Sequence, residues 1–258
     1  MSLGIIHISH VPGRAEPADS SEMVTQLLFG EAFMILEKKG SWTKIQCAWD
    51  SYKCWIDSKQ FLPISNEAFE HITSDKVVCV QDIVGVATQT DDSRNTPVVL
   101  GSTLPYFDGD VCQIGDKTFA YEGAISGPFQ GAKGMLIENA LLYLNAPYLW
   151  GGRSPFGIDC SGFTQVVYKL TGIKLPRDSS EQAKEGHSLS FVEEAEPGDL
   201  AFFDNDDGNI IHVGIMMGDN KIIHASGKVR IDKIDHQGIF NLDTGRYSHK
   251  LRIMKRIF

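Results

Sequence analysis

The sequence lacks any apolar run that approaches the roughly 20 residues needed to cross a bilayer as a helix. Its opening residues also lack a basic stretch followed by an apolar core, so no secretory signal is expected in this chain. We therefore predict a protein without a membrane span. The predicted location is cytoplasmic, or periplasmic or exported if a leader segment has been removed.

Positive charge is scarce. The 24 Lys and Arg residues stand against 33 Asp and Glu residues, which gives a formal net charge of −9. A surface of this sign repels phosphate backbones, and no Lys/Arg run typical of nucleic-acid binding occurs. We expect no nucleic-acid partner, and the sequence leaves the oligomeric state open.

Cysteine is sparse and unpaired in pattern. The five cysteines, at positions 47, 54, 79, 112 and 160, form no Cys-x-x-Cys motif. An odd number of this kind favours reduced, buried thiols over a disulfide framework. The first four fall in β patterns and are interpreted as core thiols, whereas the context of Cys160 is different.

At about 100–200 residues per domain, a chain of 258 residues favours two or three domains. The first half alternates short apolar runs, among them residues 34–36, 43–47 and 54–56, with turn signals, which indicates β-strands. A loose repeat of these cues predicts two small barrels, over residues 1–63 and 64–129, with a short helical stretch in the connector at 64–74. Helical spacing over residues 132–145, and strands predicted over 200–203, 210–217, 221–225 and 250–257, indicate an α+β domain over residues 130–258.

Cys160 lies at the predicted first turn of a helix that runs to about Leu170 and ends at Gly172. Free N–H groups at a helix start carry partial positive charge, which lowers the pKa of a thiol and can stabilise an oxyanion. The alternative is an ordinary buried cysteine. A nucleophile is favoured because a candidate base occurs further along the chain.

Two histidines lie on consecutive predicted strands. If residues 218–220 form the loop between them, His212 faces Ser226 and His224 is a diagonal neighbour on the same face. Such a pair suits a general base and the residue that orients it, with Cys160 as nucleophile. A zinc site made by Cys160, His212 and His224 is a second possibility, although no HExxH or Cys-x-x-Cys element supports it. The remaining histidines are interpreted as structural or exposed: His7, His10, His71, His187, His236 and His249.

Five motifs occur in the order YLWGG, DCSGF, PRDSSEQ, HVGI and IIHAS. Together they resemble the NlpC-type family of papain-like cell-wall cysteine peptidases, over about residues 130–258. The segments SEMVTQLLFGE and SYKCWI resemble the first of the paired bacterial SH3-like domains that precede the peptidase in some members. The resemblance implies an α+β papain-like cysteine peptidase domain preceded by two small all-β SH3-like barrels.

The resemblance also assigns roles. Cys160 is the expected nucleophile, His212 the base and His224 the third polar member, with no metal or cofactor. The expected substrate-binding residues are Tyr148, Asp159, Ser161, Asp178 and Ser179, joined by Glu22 and Tyr52 from the first barrel. Structural readings compete with these roles: the two aspartates suit helix N-caps, the second of them in a capping box, and the tyrosine suits packing.

The branch that the first barrel resembles cuts γ-D-glutamyl–diamino acid bonds in peptides with a free N-terminal L-Ala. The expected partner is therefore a small peptide derived from peptidoglycan, as in murein recycling. Two alternatives stay open: an N-acetylmuramoyl-L-alanine amidase, and a non-catalytic module that binds cell-wall peptides. The sequence does not separate diaminopimelate from Lys at the third substrate position.

Overall fold

The computed structural model of the protein describes residues 2–73, 78–126 and 133–257. These residues divide into two compact units. Unit 1 comprises the described parts of Met1–Gln130 together with Trp150–Pro155, and unit 2 comprises those of Gly131–Leu149 and Phe156–Phe258. The predicted limits of three domains, 1–63, 64–129 and 130–258, stay a prediction.

The first sheet of unit 1 is antiparallel and has seven strands. They are β1 (Leu3–Ile6), β2 (His10–Arg14), β3 (Met23–Leu28), β4 (Ala32–Lys39), β5 (Trp42–Cys47), β6 (Lys53–Asp57) and β7 (Phe61–Ile64). Their order is β3-β2-β6-β5-β4-β1-β7. Alternation positions the core: in β5, Thr43, Ile45 and Cys47 are buried while the residues between them are only partly so. The strands predicted around residues 34–36, 43–47 and 54–56 are confirmed.

The remainder of unit 1 contains a short helix and smaller sheets. These elements are α1 (Asn66–Ile72), β8 (Cys79–Val80), β9 (Val84–Gln89), β10 (Asn95–Val99), β11 (Val111–Ile114), β12 (Lys117–Ala120), β13 (Ile125–Ser126) and β14 (Arg153–Ser154). The strands form a sheet of order β10-β9-β12-β11 and a ribbon of β13 with β8. The predicted connector helix is confirmed, and it begins where the Ser65 hydroxyl accepts a hydrogen bond from the Ala68 N–H group.

Both β regions of unit 1 contribute to one hydrophobic cluster, which joins Ile5 and Phe29 to Val98 and Phe119. The four cysteines interpreted as core thiols are buried and form no disulfide: Cys47, Cys54, Cys79 and Cys112. The assignment of a second SH3-like barrel to residues 64–129 stays a prediction.

Unit 2 combines helices with a large antiparallel sheet. Its helices are α2 (Lys133–Leu141), α3 (Cys160–Lys169) and α4 (Ser179–Gln182), and a 3-10 turn covers Val192–Glu194. Its strands are β15 (Gly157–Ile158), β16 (His187–Leu189), β17 (Leu200–Asp204), β18 (Ile210–Gly218), β19 (Lys221–Ser226), β20 (Lys228–Asp235), β21 (Gly238–Asn241) and β22 (Arg246–Arg256). The helix predicted from Cys160 is confirmed, and the α+β character of this part is confirmed with it.

The sheet of unit 2 has the order β16-β22-β17-β18-β19-β20-β21, and β21 also pairs with β22. The six strands from β17 to β22 therefore close into a ring. Every residue of α3 is buried, and the helix packs against β18 and β19. None of the helices in the described ranges is long and apolar enough to span a membrane.

Candidate active site

Cys160 is the first residue of α3, and its position is fixed by the residue before it. Asp159 is the N-cap with an extended backbone, and its Oδ1 accepts a hydrogen bond from the Gly162 N–H group at 2.7 Å. This bond satisfies one of the donors that every helix start leaves unpaired. The N-cap interpretation of Asp159 is thereby confirmed.

The thiol of Cys160 is buried and keeps its proton. Burial raises the pKa of this thiol to about 12, and the carboxylate of Asp159 adds to the rise. Backbone hydrogen bonds from Val213 and Ser161 and the charge of Arg177 act in the opposite direction without cancelling it. The N–H group of Ser161 at the helix start lowers the pKa as expected, but desolvation outweighs it, so the expected net lowering of the thiol pKa is wrong. A base must take the proton.

The loop between β18 and β19 places two imidazoles together. It consists of Asp219 and Asn220, which have φ angles of 50° and 54°, rather than of residues 218–220. A bulge beside the loop preserves the pairing register that the sequence predicts. Accordingly, Nε2 of His212 lies 2.9 Å from Nδ1 of His224, which confirms the predicted neighbours. Because Nε2 of His212 faces His224, its Nδ1 is the nitrogen that can serve as a base, and Cys160 lies beside the same strand, since its sulfur accepts a hydrogen bond from the Val213 N–H group.

Asp232 extends this chain of side chains. Its Oδ2 lies 3.1 Å from Nε2 of His224, and neither residue has any exposed surface. Sequence reasoning missed Asp232 because it predicted no strand at β20. The alternation of apolar and polar residues over 228–235 is the signal that could have indicated this strand.

His249 lies against the candidate base. Its ring stacks on that of His212 with centroids 4.1 Å apart and an interplanar angle of 21°. His249 therefore packs against the candidate base, a contact that the sequence did not indicate, and its interpretation as a structural or exposed residue stays a prediction. The prediction started the last strand at Lys250, whereas β22 begins at Arg246 and carries His249 into the ring of strands.

Burial keeps these imidazoles neutral. It lowers the pKa of His212 well below its ordinary value, and the neighbouring His224 and His249 lower it further. Burial also lowers the pKa of His224, although the hydrogen bond to Asp232 partly offsets the effect. For His249, burial and the charge of His224 lower the pKa to about 4. At neutral pH, the candidate nucleophile and base are therefore both uncharged.

A buried ion pair lies beside Cys160, the candidate nucleophile. Arg177 donates from Nη2 to Oδ2 of Asp159 at 2.5 Å and from Nη1 to the hydroxyl of Ser161 at 2.9 Å. Sequence reasoning missed Arg177, whose place in the PRDSSEQ motif was the available signal. The cap and the ion pair account for both neighbours of Cys160 structurally, and their roles in binding substrate stay a prediction.

The phenol of Tyr148 interacts electrostatically with Cys160, the candidate nucleophile. Burial raises the pKa of its phenol to about 12, and the charges of Cys160 and Asp159 add to the rise. Tyr148 is partly exposed, so packing in the core does not account for its whole side chain. Its hydroxyl therefore stays protonated at neutral pH and can donate a hydrogen bond.

Asp178 precedes α4, and Ser179 is the first residue of that helix. The side chain of Asp178 makes no capping hydrogen bond, so the predicted capping box is wrong. Asp178 is exposed and Ser179 is partly so. Their predicted contact with the ammonium end of a substrate stays a prediction.

Glu22 and Tyr52 belong to unit 1. A carboxylate oxygen of Glu22 accepts a hydrogen bond from the indole Nε1 of Trp150, which belongs to the same unit, at 2.6 Å. Tyr52 packs against the core of the first sheet, and its N–H group donates to Oδ1 of Asp50. The predicted role of both residues in substrate binding stays a prediction.

Metal ligation finds no support in the side-chain arrangement. Throughout residues 2–73, 78–126 and 133–257, no group of three or more His, Cys, Asp or Glu side chains could hold a metal ion. In the alternative zinc set, the facing nitrogens of His212 and His224 form a hydrogen bond with each other instead.

Comparison with known proteins matches residues 145–245 to the NlpC/P60 family and residues 13–61 to the bacterial dipeptidyl-peptidase Sh3 domain. The chain is 31% identical over 230 residues to a gamma-D-glutamyl-L-lysine dipeptidyl-peptidase of Bacillus cereus, over 80% of this chain and 68% of that protein. It is 25% identical over 253 residues to a dipeptidyl-peptidase 6 of Lysinibacillus sphaericus, over 86% and 88% of the two chains. A solved NlpC/P60 family protein from Bacillus cereus has a TM-score of 0.83 at 24% identity over 99% of both chains, which supports the fold.

Proposed function

The chain belongs to the NlpC/P60 family, and from this premise we propose that it is a cysteine peptidase that hydrolyses γ-D-glutamyl–diamino acid bonds in peptides derived from peptidoglycan. The observation that carries the proposal is the buried set of Cys160, His212 and His224, in which the base is oriented and the nucleophile opens a helix. A binding module has no need of such a set. The SH3-like domain that the peptidases of this type carry is present at residues 13–61.

The reaction begins from neutral groups. Sγ of Cys160 attacks the γ-carbonyl carbon of D-Glu as Nδ1 of His212 accepts the thiol proton, so the thiolate forms only as it reacts. The tetrahedral intermediate collapses when His212 returns that proton to the departing amine of the diamino acid. Water, deprotonated by the same imidazole, then attacks the thioester carbonyl and releases the D-Glu product together with the free thiol.

Negative charge on the carbonyl oxygen needs donors that are already in place. The N–H groups at the start of α3 are one source, and the protonated phenol of Tyr148 is another. Both belong to unit 2, as do the nucleophile and the base. Removing one such donor typically costs about 10²–10³-fold in kcat.

The substrate is a short peptide with a free N-terminal L-Ala. Asp178 and Ser179 receive its ammonium group, and Glu22 and Tyr52 from an N-terminal barrel favour the free amine, because an ammonium group withdrawn from water needs a carboxylate partner. Residues 64–129 form a second SH3-like barrel. Free peptides of this size occur where murein is recycled, which agrees with a cytoplasmic location.

Mass spectrometry of two matched peptides tests the reaction. The wild-type protein is expected to release Lys from L-Ala-γ-D-Glu-L-Lys and far less from its N-acetylated twin, and the Cys160→Ala variant should release none. Cleavage of neither peptide would overturn the proposed bond. Equal cleavage of both would retain the peptidase and remove the requirement for a free amine, while release of stem peptides from intact sacculi would favour the amidase.

The role of Glu22 is tested on the same two peptides. Glu22→Ala is expected to slow cleavage of the free peptide more than that of the blocked one. Glu37→Ala, an exposed residue on β4, is the matched control. Equal losses on both peptides would remove Glu22 from amine recognition.

A further inference from the structure

We propose that Asp232 is a positioning residue that determines which nitrogen of His212 carries a proton, an inference that rests on the peptidase reaction proposed above. It acts on His212 through His224, whose Nε2 faces the carboxylate of Asp232. The proposal stands on the geometry of one buried carboxylate and its donors.

Four hydrogen bonds converge on the carboxylate of Asp232. Oδ2 faces Nε2 of His224 at 3.1 Å and accepts from Nε of Arg230 at 2.6 Å. Oδ1 accepts from Nη2 of Arg230 and from the N–H group of Leu242, both at 2.9 Å. A carboxylate has about four lone-pair positions, so its capacity is filled.

An ionised carboxylate can only accept, and this fixes the protons along the chain. Although burial opposes ionisation, the hydrogen bonds from His224, Arg230 and Leu242 hold the pKa of Asp232 below its ordinary value. Nε2 of His224 therefore carries a proton. In the neutral imidazole, Nδ1 is then an acceptor, so the proton in the 2.9 Å contact belongs to Nε2 of His212. Nδ1 of His212 keeps its lone pair for the thiol of Cys160.

The groups that face His224 come from three strands. His212 lies on β18, Arg230 and Asp232 on β20, and His249 on β22. Of these, Asp232 is the acceptor at the far side of His224, while the two imidazoles can adopt either tautomer. The assignment of protons therefore depends on this carboxylate.

An amide in place of the carboxylate should reverse the assignment. In Asp232→Asn, the NH₂ group must face the donors of one of the two oxygens. At the Oδ1 position it would oppose both Arg230 and Leu242, which cannot become acceptors. At the Oδ2 position it opposes one Arg230 donor, and His224 can accept by changing tautomer. The proton of His212 then moves to Nδ1, and the base is lost.

The test combines nitrogen NMR of the full chain, labelled with ¹⁵N-histidine, with kinetics on L-Ala-γ-D-Glu-L-Lys. In the wild type, both His212 and His224 should carry their protons on Nε2. In Asp232→Asn, both should carry them on Nδ1, and kcat should fall on the order of 10²–10⁴-fold with KM unchanged. Asp235→Asn on the same strand, whose carboxylate accepts from Tyr247 and Gln237 instead, is the matched control and should change neither.

Each other outcome contradicts the proposal. If Asp232→Asn keeps the wild-type tautomers, or keeps kcat, then Asp232 serves only to hold β20. If that variant does not fold, the wild-type spectrum decides alone, since a proton on Nδ1 of His212 would overturn the inference. A wild-type protein that releases no Lys would remove the proposed function and leave the tautomers measurable, so the two failures are distinguishable.

Discussion

Two buried Asp–Arg pairs flank the candidate active site, and they differ in what else each carboxylate touches. Asp159, only 5% exposed, pairs with Arg177 and uses its other bonds on the start of α3. Asp232, with no exposed surface, accepts two hydrogen bonds from Arg230 and its other two from His224 and the N–H group of Leu242. The first pair holds the helix start that carries the candidate nucleophile, and the second contacts His224, the neighbour of the candidate base. The same type of ion pair therefore supports different parts of the site, depending on which group the aspartate contacts besides its arginine.

The two arginines differ in their access to water. The side chain of Arg177 is 2% exposed, whereas that of Arg230 is 14% exposed and also reaches Asp243 near the surface. Loss of the arginine leaves a buried carboxylate without its ion-pair partner in either pair, but at the more exposed position of Arg230 water can replace part of the lost interaction. The comparison therefore predicts that loss of Arg177 lowers the free energy of unfolding more than loss of Arg230.

The largest effect is expected for Arg177→Gln. It leaves the Asp159 carboxylate buried beside Cys160 and should reduce the free energy of unfolding by about 3–5 kcal/mol. Arg230→Gln is the matched control and should cost about 1.5–3 kcal/mol, since Asp232 keeps its bonds to His224 and Leu242. Urea denaturation measures both, and a larger loss in the control would reverse the comparison.

A smaller effect is expected from acidification, which acts on the three neighbouring histidines. His212, His224 and His249 have lowered pKa values in the folded protein, so the unfolded chain, with ordinary values near about 6.5, binds more protons below that pH. Stability should therefore fall as the pH drops from about 6.5 toward about 4, where His249 itself titrates. His249→Phe removes one of these groups, so urea midpoints across that range should decline less steeply than in the wild type. An unchanged slope would place the sensitivity elsewhere.

The smallest effect is expected for Ser161→Ala. The hydroxyl of Ser161 accepts a hydrogen bond from Arg177 at 2.9 Å and donates a longer one to Oδ1 of Asp159 at 3.4 Å, while Arg177 keeps its own bonds to Asp159 in the variant. The free energy of unfolding should fall by about 1 kcal/mol. A loss as large as that of Arg177→Gln would make Ser161 essential to the pair. A raised KM for the peptide without a loss of stability would support the substrate-lining role that the sequence predicts.

Local patterns predicted the elements that depend on neighbouring residues. An N-cap before Cys160 and a turn between two apolar runs correctly placed the start of α3 and the pairing of His212 with His224. The missed residues depend on distant pairing. β22 meets β17 and β21, and its first residues are polar and exposed, so nothing in their local pattern shows that His249 reaches the base.

The protonation state of the thiol is a second property that could not be predicted from the sequence. The position of Cys160 at a helix start correctly indicated favourable N–H groups, but a sequence does not state how deeply the thiol is buried. In the structure, desolvation outweighs the backbone hydrogen bonds and raises the pKa of the thiol. Capping signals predict geometry well because they are local, whereas the electrostatic balance follows from packing by the whole unit.

The ring of β17 to β22 has a consequence for the order in which the molecule can become active. Residues that act together lie on strands far apart along the chain: the thiol comes early, Asp232 later, and His249 on the strand that closes the ring. Such long-range pairing forms late because it carries a high loop-closure cost. During synthesis, the nucleophile therefore exists long before the strand that completes its surroundings. Until β22 has paired with β17 and β21, the growing chain holds Cys160 without the surroundings that the folded protein gives it.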